Sequence, residues 1–248
     1  MRAMDYQGGL NSESGFEEMV NFLIKKYDIK SIVETGTADG TGSTTIFART
    51  SIPVKTIECN QQSHDKALKN LQQFGNVKAF WGYSLNLREM HEFIQRDDIY
   101  DKTGLDIIFD NPSPQTCRIG YANEIGNLNI EEDLLEKLGD IPERQIIFLD
   151  SAGGIGYLEF LKFLKFKNIT NKILLLDDVS RVKHYRSYLH LQNMGKKLHL
   201  NSSKRWGWSD FTQNGQIDEV EIPKINEDKE KPNPFAGSSI FSPIQNGK

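Results

Sequence analysis

A glycine-rich segment between an apolar run and a helix-like run constrains the fold of this chain more than any other feature. The β-branched run Ser31-Ile-Val-Glu34 ends in an acid, and Gly36, Gly40 and Gly42 follow it. Glycines at a strand-to-helix turn let the backbone approach a ligand closely, with the N-terminus of the helix just behind. The pattern therefore predicts a βαβ unit with a binding site at its first turn.

A second acid ends the next predicted strand. Val54-Lys-Thr-Ile-Glu58 is short and β-rich, and Glu58 lies about 20 residues beyond the turn, where an acid binds a ribose diol in such a unit. The glycines fall as G-x-x-x-G-x-G rather than the G-x-G-x-x-G of dinucleotide sites, and Glu34 would repel a pyrophosphate but suits a cationic ligand. We therefore expect a nucleoside-containing cofactor that carries an amino group and a sulfonium. A dinucleotide dehydrogenase and a purely structural turn are the alternatives.

Strand-like and helix-like segments alternate along the chain. Helices are expected at roughly residues 16–27, 43–49, 63–74, 85–99, 130–138, 157–166 and 183–193, and further strands at roughly 77–82, 145–150 and 172–178, from apolar periodicity. Segments 197–200 and 206–212 would form an antiparallel hairpin. This order predicts an α/β fold, a doubly wound, Rossmann-like, mostly parallel sheet that the hairpin closes.

The domain boundaries follow from where this alternation stops. Residues 1–13 are expected to be a loose arm, and residues 14–212 a single domain. Residues 100–129 read as an inserted loop over the carboxyl edge of the sheet, either a substrate-binding lid or a plain surface excursion. Residues 213–248 are charged and rich in Pro, Gly and Ser, which is typical of a tail without its own core.

Charge and cysteine usage restrict the partners and the compartment. Lys and Arg number 30 against 34 Asp and Glu, and Cys59 and Cys117 are the two cysteines. The absence of a basic block disfavours nucleic acid, and no apolar run approaches the ~18 residues that a membrane span needs. We expect a reduced, cytoplasmic protein without a signal peptide or a membrane partner. The sequence leaves room for a homo-oligomer.

Acids also end two later predicted strands, at Asp150 and at Asp177-Asp178. In a doubly wound sheet the carboxyl ends of neighbouring strands face one crevice. Three carboxylates there would repel each other unless a cation neutralised them, and such oxygen ligands suit Mg²⁺ or Ca²⁺. A metal in this place would bind two oxygens of a substrate diol and lower the pKa of one hydroxyl. Alternatively, Asp177 only caps a helix.

The E-x-G-x-x-x-G pattern from Glu34 to Gly40 resembles the first motif of class I S-adenosylmethionine-dependent methyltransferases. Together with Glu58, Asp150 and the Asp177-Asp178 pair, it is similar over about residues 30–212 to the metal-dependent small-molecule O-methyltransferases. These include the macrocin and sugar O-methyltransferases and, more distantly, catechol-type enzymes. The resemblance implies S-adenosylmethionine as cofactor and a small hydroxylated acceptor, such as a sugar, a polyol or a phenol.

The resemblance also assigns roles to individual residues. Cofactor contacts are implied for the motif residues Glu34, Gly36, Thr37 and Gly40, with the methionine group near Gly36, for Glu58 at the ribose and for Ser84 near the adenine. It implies that Asp150, Asp177 and Asp178 hold Mg²⁺ or another divalent cation, with Asp150 also in the catalytic centre.

Two departures from the family pattern concern the base. Ala152 stands where many relatives of the sugar group carry a second acid, and the segment Val179–Tyr185 is not the usual sequence. His184 or Lys183, just beyond the acidic pair, would supply the base instead, since a histidine with a pKa near ~6.5 accepts a proton at neutral pH. Alternatively, His184 starts a helix and only hydrogen-bonds the backbone.

Three other functions stay open. Asp110-Asn-Pro-Ser113 resembles the N/D-P-P-Y/F motif of amino-methyltransferases, although the final aromatic is absent. With Ala152 in place of an acid, the domain would bind the cofactor without turnover, as a scaffold. A hydroxylase-like relative would hold a redox metal on the carboxylates. Acceptor specificity is expected in the inserted loop, in the arm and at Trp206 and Trp208, unless these aromatics fill the core.

Overall fold

Seven strands form one sheet in the computed structural model of the chain, which describes residues 15–102, 107–201 and 205–212. The strands are β1 Ser31–Thr35, β2 Val54–Glu58, β3 Val77–Trp81, β4 Gln145–Leu149, β5 Lys172–Leu176, β6 His199–Leu200 and β7 Gly207–Asp210. Their order is β3-β2-β1-β4-β5-β7-β6. Strands β1 to β5 are parallel, while β7 runs antiparallel to β5 and β6. The predicted fold class, a doubly wound sheet with a C-terminal antiparallel hairpin, is confirmed.

Helices connect the parallel strands. They are α1 Phe16–Tyr27, α2 Ser43–Arg49, α3 Gln61–Leu71, α4 Leu87–Arg96, α5 Pro114–Ile125, α6 Leu134–Gly139, α7 Gly156–Phe163 and α8 Tyr185–Asn193. Short 3-10 helices cover Asp98–Asp101 and Ile169–Asn171. The chain runs outward from β1 through β2 to β3 and then crosses to β4 on the other side of β1. Strands β1 and β4 therefore border the switch point where ligands bind in open α/β sheets.

The parallel strands are buried on both faces. Successive side chains of a strand point to opposite faces, so Ile32 of β1 packs with α1 and α2, whereas Val33 packs with the side chains of α4, α5 and α7. Phe148 and Leu149 of β4 divide between the same two layers. This double coverage explains why the strands read as continuous apolar runs.

An aromatic cluster joins α1 to the sheet. The ring of Phe16 lies 5.7 Å from Phe47, 5.5 Å from Phe148 and 5.4 Å from Trp206, measured between centroids. Trp208 is also buried and stacks on His199 at 4.2 Å. Trp206 and Trp208 therefore fill the core rather than line a pocket.

Residues 100–129 differ from the predicted loop because helix α5 lies within them. Ser113 caps the helix by accepting a hydrogen bond from the Thr116 N–H, and Pro114 occupies the first turn, where its missing N–H costs nothing. The helix buries the face formed by Cys117, Tyr121 and Ile125. The Asn-Pro-Ser-Pro segment thus starts a helix rather than extending a loop.

The segment before α5 lies over the carboxyl edge of the sheet. The N–H of Ile108 donates to the Ser180 carbonyl at 3.1 Å, and the N–H of Val182 donates back to the Ile108 carbonyl at 3.1 Å. Since residues 180–182 follow β5, this pairing places residues 107–110 at the carboxyl edge of the sheet, where the sequence predicted an inserted loop. The pairing amounts to one isolated β-bridge, between Ile108 and Arg181.

The predicted arm at residues 1–13 and tail at 213–248 lie outside the described residues. Among the helices that the structure describes, none combines the length and the apolar character that a bilayer crossing requires.

We expect Phe16→Ala to lower the free energy of unfolding by about 3–5 kcal/mol, since it leaves a cavity among three aromatic rings. Ile119→Ala is the matched control, because Ile119 is 64% exposed, and it should change stability by less than about 0.5 kcal/mol. Urea unfolding followed by circular dichroism measures both. Equal effects of the two substitutions would show that α1 does not contribute to the core as described.

Candidate functional site

The carboxylate of Glu34, near the end of β1, is buried beside the glycine turn. Its Oε1 accepts a hydrogen bond from Ser43 at 2.5 Å, and its Oε2 accepts from Thr44 at 2.6 Å and from Thr56 at 2.7 Å. Burial raises the pKa of Glu34 to about 7, although these three hydroxyls oppose the shift. The carboxylate ties β1 to the start of α2 and to β2.

Thr37 extends this network. Its hydroxyl lies 2.5 Å from that of Thr56, and since Thr56 donates to Glu34, Thr37 is the donor to Thr56. The N–H of Thr37 donates to the Ile57 carbonyl. The side chains of Glu34 and Thr37 are therefore turned into the fold, and the cofactor contact of these two residues stays a prediction.

Gly36 and Gly40 are needed for close packing of the turn. Both have positive φ, +82° and +79°. A Cβ on Gly36 would lie 2.3 Å from the Asp150 carbonyl oxygen, and one on Gly40 would lie 2.9 Å from the Leu71 side chain. The glycines bring the turn against the loop after β4 and against α3, and this packing requirement accounts for both residues without a ligand.

Glu58, at the end of β2, lies beside the glycine turn as predicted. Its Oε2 accepts a hydrogen bond from the Ala38 N–H at 2.8 Å, and its Oε1 accepts from the Asn60 N–H at 2.8 Å. Burial raises the pKa of Glu58, while the backbone donors oppose the shift. Each carboxylate oxygen has two lone pairs, so Glu58 keeps the capacity to accept hydrogen bonds from two ligand hydroxyls.

A buried acid that was not predicted from the sequence lies at the same switch point. Glu159 of α7 is fully buried, and its Oε2 accepts a hydrogen bond from Thr35 at 3.0 Å. The Thr35 hydroxyl in turn accepts from the Asp150 N–H at 3.1 Å. Burial raises the pKa of Glu159, and the buried Ser84 lies beside it. The sequence signal for its burial was the position of this acid on the apolar face of α7, four residues before Phe163.

The three aspartates predicted to bind a metal do meet at the carboxyl edge, but Lys183 lies among them. The Lys183 Nζ is 2.6 Å from Asp150 Oδ1 and 3.3 Å from Asp178 Oδ2, while Arg205 is 3.3 Å from Asp177. In the described part of the chain, no group of three His, Cys, Asp or Glu side chains is placed to hold a metal ion. The predicted metal site is thus not formed.

These contacts fix the charge of Lys183. Burial alone would lower its pKa, but Asp150, Asp177 and Asp178 outweigh burial and raise the pKa above its ordinary value. Burial opposes ionisation of Asp177, yet Lys183 and Arg205 hold its pKa below the ordinary value. A protonated Lys183 has no lone pair with which to accept a proton, which argues against it as the general base that the sequence suggested.

His184 does not suit the role of base either. It is fully buried, with Nε2 lying 3.0 Å from the Leu149 carbonyl and Nδ1 lying 3.1 Å from the Ser187 hydroxyl. A carbonyl only accepts, so Nε2 carries the proton and Nδ1 accepts from Ser187. Burial lowers the pKa of His184 to about 3. The histidine anchors the loop after β5 to β4. This backbone hydrogen bond is the alternative to a catalytic role that the sequence left open for His184.

Residues 110–113 serve packing and helix capping. Asp110 accepts hydrogen bonds from the Tyr121 hydroxyl and from Arg181, and Asn111 Oδ1 accepts from the Ser113 N–H at 2.9 Å. Tyr121 fits because its neighbour Gly153 lacks a Cβ, which would lie 2.8 Å from the ring. These roles do not support the amino-methyltransferase alternative.

A surface cavity of about 330 Å³ lies between α7 and α8, lined by Tyr157, Arg186, Leu189, His190, Asn193 and Met194. None of the residues that the sequence singled out lines this cavity. The chemistry-bearing side chains are concentrated instead at the carboxyl ends of β1, β2, β4 and β5.

No protein-family model and no curated protein matches the chain. Its structure is similar to a candidate caffeoyl-CoA O-methyltransferase from Staphylococcus aureus, with 19% identity, coverage of 78% of this chain and 81% of that chain, and a TM-score of 0.44. An O-methyltransferase from Bacillus cereus in complex with S-adenosylhomocysteine has 17% identity, 78% coverage of each chain and a TM-score of 0.42. Fibrillarin from Aeropyrum pernix with bound S-adenosylmethionine has 12% identity, 77% and 74% coverage and a TM-score of 0.38. At these identities and TM-scores, the likeness assigns no activity to this chain.

The buried Glu34 should make stability depend on pH. The pKa of Glu34 is about 7 in the folded state against 4.5 ordinarily, so the folded protein binds this proton more tightly than the unfolded chain does. The resulting stabilisation is lost as the pH rises from about 4.5 to about 7. The free energy of unfolding of the wild type, minus that of Glu34→Gln, should fall by about 3 kcal/mol over that range. Urea titrations of both proteins at several pH values measure it. A pH-independent difference would contradict the buried location of this carboxylate.

Proposed function

We propose that this chain is an S-adenosylmethionine-dependent methyltransferase that methylates a hydroxyl oxygen of a small molecule, such as a sugar, a polyol or a phenol. The observation that carries the proposal is the position of Glu58, which adjoins the glycine turn at the switch point of the sheet. A carboxylate in this position suits a ribose diol.

Charge supports a cationic nucleoside over a dinucleotide. The acids Glu58 and Glu159 end or border the strands around the crevice, and Glu124 of α5 is close enough to Asp110 and Lys183 for their charges to affect its pKa. A pyrophosphate brought among these carboxylates would meet like charges. A sulfonium and an amino group would be attracted, and they would favour the ionised form of each acid.

The glycine turn would position the cofactor by its backbone shape rather than by donating hydrogen bonds to it. The N–H groups of Gly36 and Thr37 both donate to the Ile57 carbonyl, so they are not aimed at a phosphate. The nucleoside would therefore be positioned by the backbone shape of residues 36–42 and by the Glu58 carboxylate. Rate enhancement would come from holding the methyl donor and the acceptor oxygen in line.

Asp150 is the acid best placed to receive the proton of the acceptor hydroxyl. Its Oδ1 binds Lys183, and its side chain is 19% exposed at the carboxyl edge. A carboxylate accepts through both oxygens, so Oδ2 would take the proton while the Lys183 ammonium balances the charge. The contacts of Lys183 and His184 given above support Asp150 over either of them as the base.

A second candidate function is cofactor binding without turnover. The observation that favours it is Ala152, which stands two residues after Asp150 and offers no proton acceptor. The two candidates share the cofactor site and differ in chemistry, because only the enzyme transfers the methyl group of S-adenosylmethionine to a hydroxylated acceptor.

The cofactor site predicts that the chain binds S-adenosylhomocysteine and that Glu58→Gln weakens this binding about 10- to 100-fold, as expected for the loss of hydrogen bonds to a charged group worth about 1.5–3 kcal/mol. Isothermal titration calorimetry measures the affinities. Glu89→Gln is the matched control, since Glu89 is an exposed acid of α4, and its affinity should equal that of the wild type.

Thermal unfolding of the Glu58→Gln protein shows whether the two backbone hydrogen bonds of Glu58 were needed for folding. Absence of wild-type binding at millimolar ligand would refute the proposed function. Binding without methylation of any diol, sugar or phenol in a broad panel would select the non-catalytic candidate.

A further inference from the structure

The residues at the carboxyl edge do not fit the divalent cation that the sequence resemblance implies. A metal held by Asp150, Asp177 and Asp178 needs their oxygens to converge on one point at 2.0–2.1 Å for Mg²⁺. In this structure two of the carboxylates converge on the Lys183 ammonium, and the third pairs with Arg205. We propose that Lys183 is a built-in cation that replaces the divalent metal at this edge.

The geometry of Lys183 is that of a bridging ion. Its Nζ lies 2.6 Å from an oxygen of Asp150, which follows β4, and 3.3 Å from an oxygen of Asp178, which follows β5. The Lys183 side chain is 12% exposed and those of the two aspartates are 19% and 15% exposed. The ammonium thus links the ends of two neighbouring strands, where a bound cation would lie.

Packing directs the Lys183 side chain inward. A Cβ on Gly156, the first residue of α7, would lie 2.6 Å from Lys183 Cγ and 2.7 Å from its carbonyl oxygen. The absence of a side chain at position 156 therefore makes room for the lysine stem. The next residue, His184, is bonded to the Leu149 carbonyl at 3.0 Å, which fixes this part of the loop against β4.

The protein's own cations balance the aspartates. Lys183 pairs with Asp150 and Asp178, Arg205 pairs with Asp177, and the Arg181 guanidinium lies 3.4 Å from Asp178. A divalent ion added here would meet the positive charge of Lys183 at contact distance, and like charges at such a distance repel strongly in a partly buried site. The edge already has the charge that a metal would otherwise supply.

Lys183 would take the place of the metal whether or not the chain transfers methyl groups. If the proposed function is also correct, the acceptor would be bound and its proton removed without a metal. The activity would then survive chelators that inactivate a metal-dependent enzyme.

Manganese binding tests the proposal directly, with the full chain and with Mn²⁺ as the probe. Electron paramagnetic resonance of free Mn²⁺ during a titration should show no stoichiometric site in the wild type at submillimolar Mn²⁺. Lys183→Ala leaves the three aspartates without the bridging ammonium, and it should bind one Mn²⁺ at least 10-fold more tightly than the wild type. Adding Asp150→Asn to Lys183→Ala should abolish that gain.

Lys162→Ala is the matched control, because Lys162 also bridges two acids, at 2.5 Å from Glu136 and 3.9 Å from Asp133, outside this edge. It should gain no Mn²⁺ site. The proposal is overturned if the wild type binds one Mn²⁺ and Asp150→Asn abolishes that binding, or if a folded Lys183→Ala protein gains no affinity. Should Lys183→Ala fail to fold, the comparison of the wild type with Asp150→Asn decides alone.

Discussion

The site depends on one buried carboxylate. Glu34 accepts three hydroxyl hydrogen bonds, and through them the end of β1, the start of α2 and the middle of β2 are held together. An unpaired carboxylate in this place would be very costly, so the three donors are obligatory partners. With this network in place, the turn from Gly36 to Gly42 has a fixed path, and the Ala38 N–H points at Glu58.

Charge compensation governs the other half of the edge. Aspartates follow both β4 and β5, and the loop after β5 places the Lys183 ammonium between Asp150 and Asp178. The same loop carries Arg181, which pairs with Asp110 and so connects the segment before α5 to this edge. A single loop thereby neutralises the strand ends and holds the covering segment.

The sheet, the turn and the meeting of the acids at one edge could be predicted because they follow from local patterns. Alternating strands and helices dictate a parallel sheet, and in such a sheet strand ends share an edge. The burial of Glu34 was also accessible, since it is two residues beyond Ile32 and thus on the same buried face of β1. The prediction that Glu34 contacts the cofactor came instead from its position in the motif.

The inward path of Lys183 could not be predicted from its own neighbourhood. It depends on the missing side chain of Gly156, a residue of another element, and lysines ordinarily keep their charge in water. Helix α5 was missed because proline and serine mark both loops and helix starts, and only the buried face of Cys117, Tyr121 and Ile125 separates the two.

The central claim is that Glu58 and the glycine turn hold the nucleoside of a sulfonium cofactor. A crystal structure of the chain grown with S-adenosylhomocysteine tests it most directly. The account predicts ribose hydroxyls within hydrogen-bond distance of both Glu58 carboxylate oxygens, with the ligand at the ends of β1 and β2. A ligand bound elsewhere on the molecule, with Glu58 bonded only to Ala38 and Asn60, would contradict it.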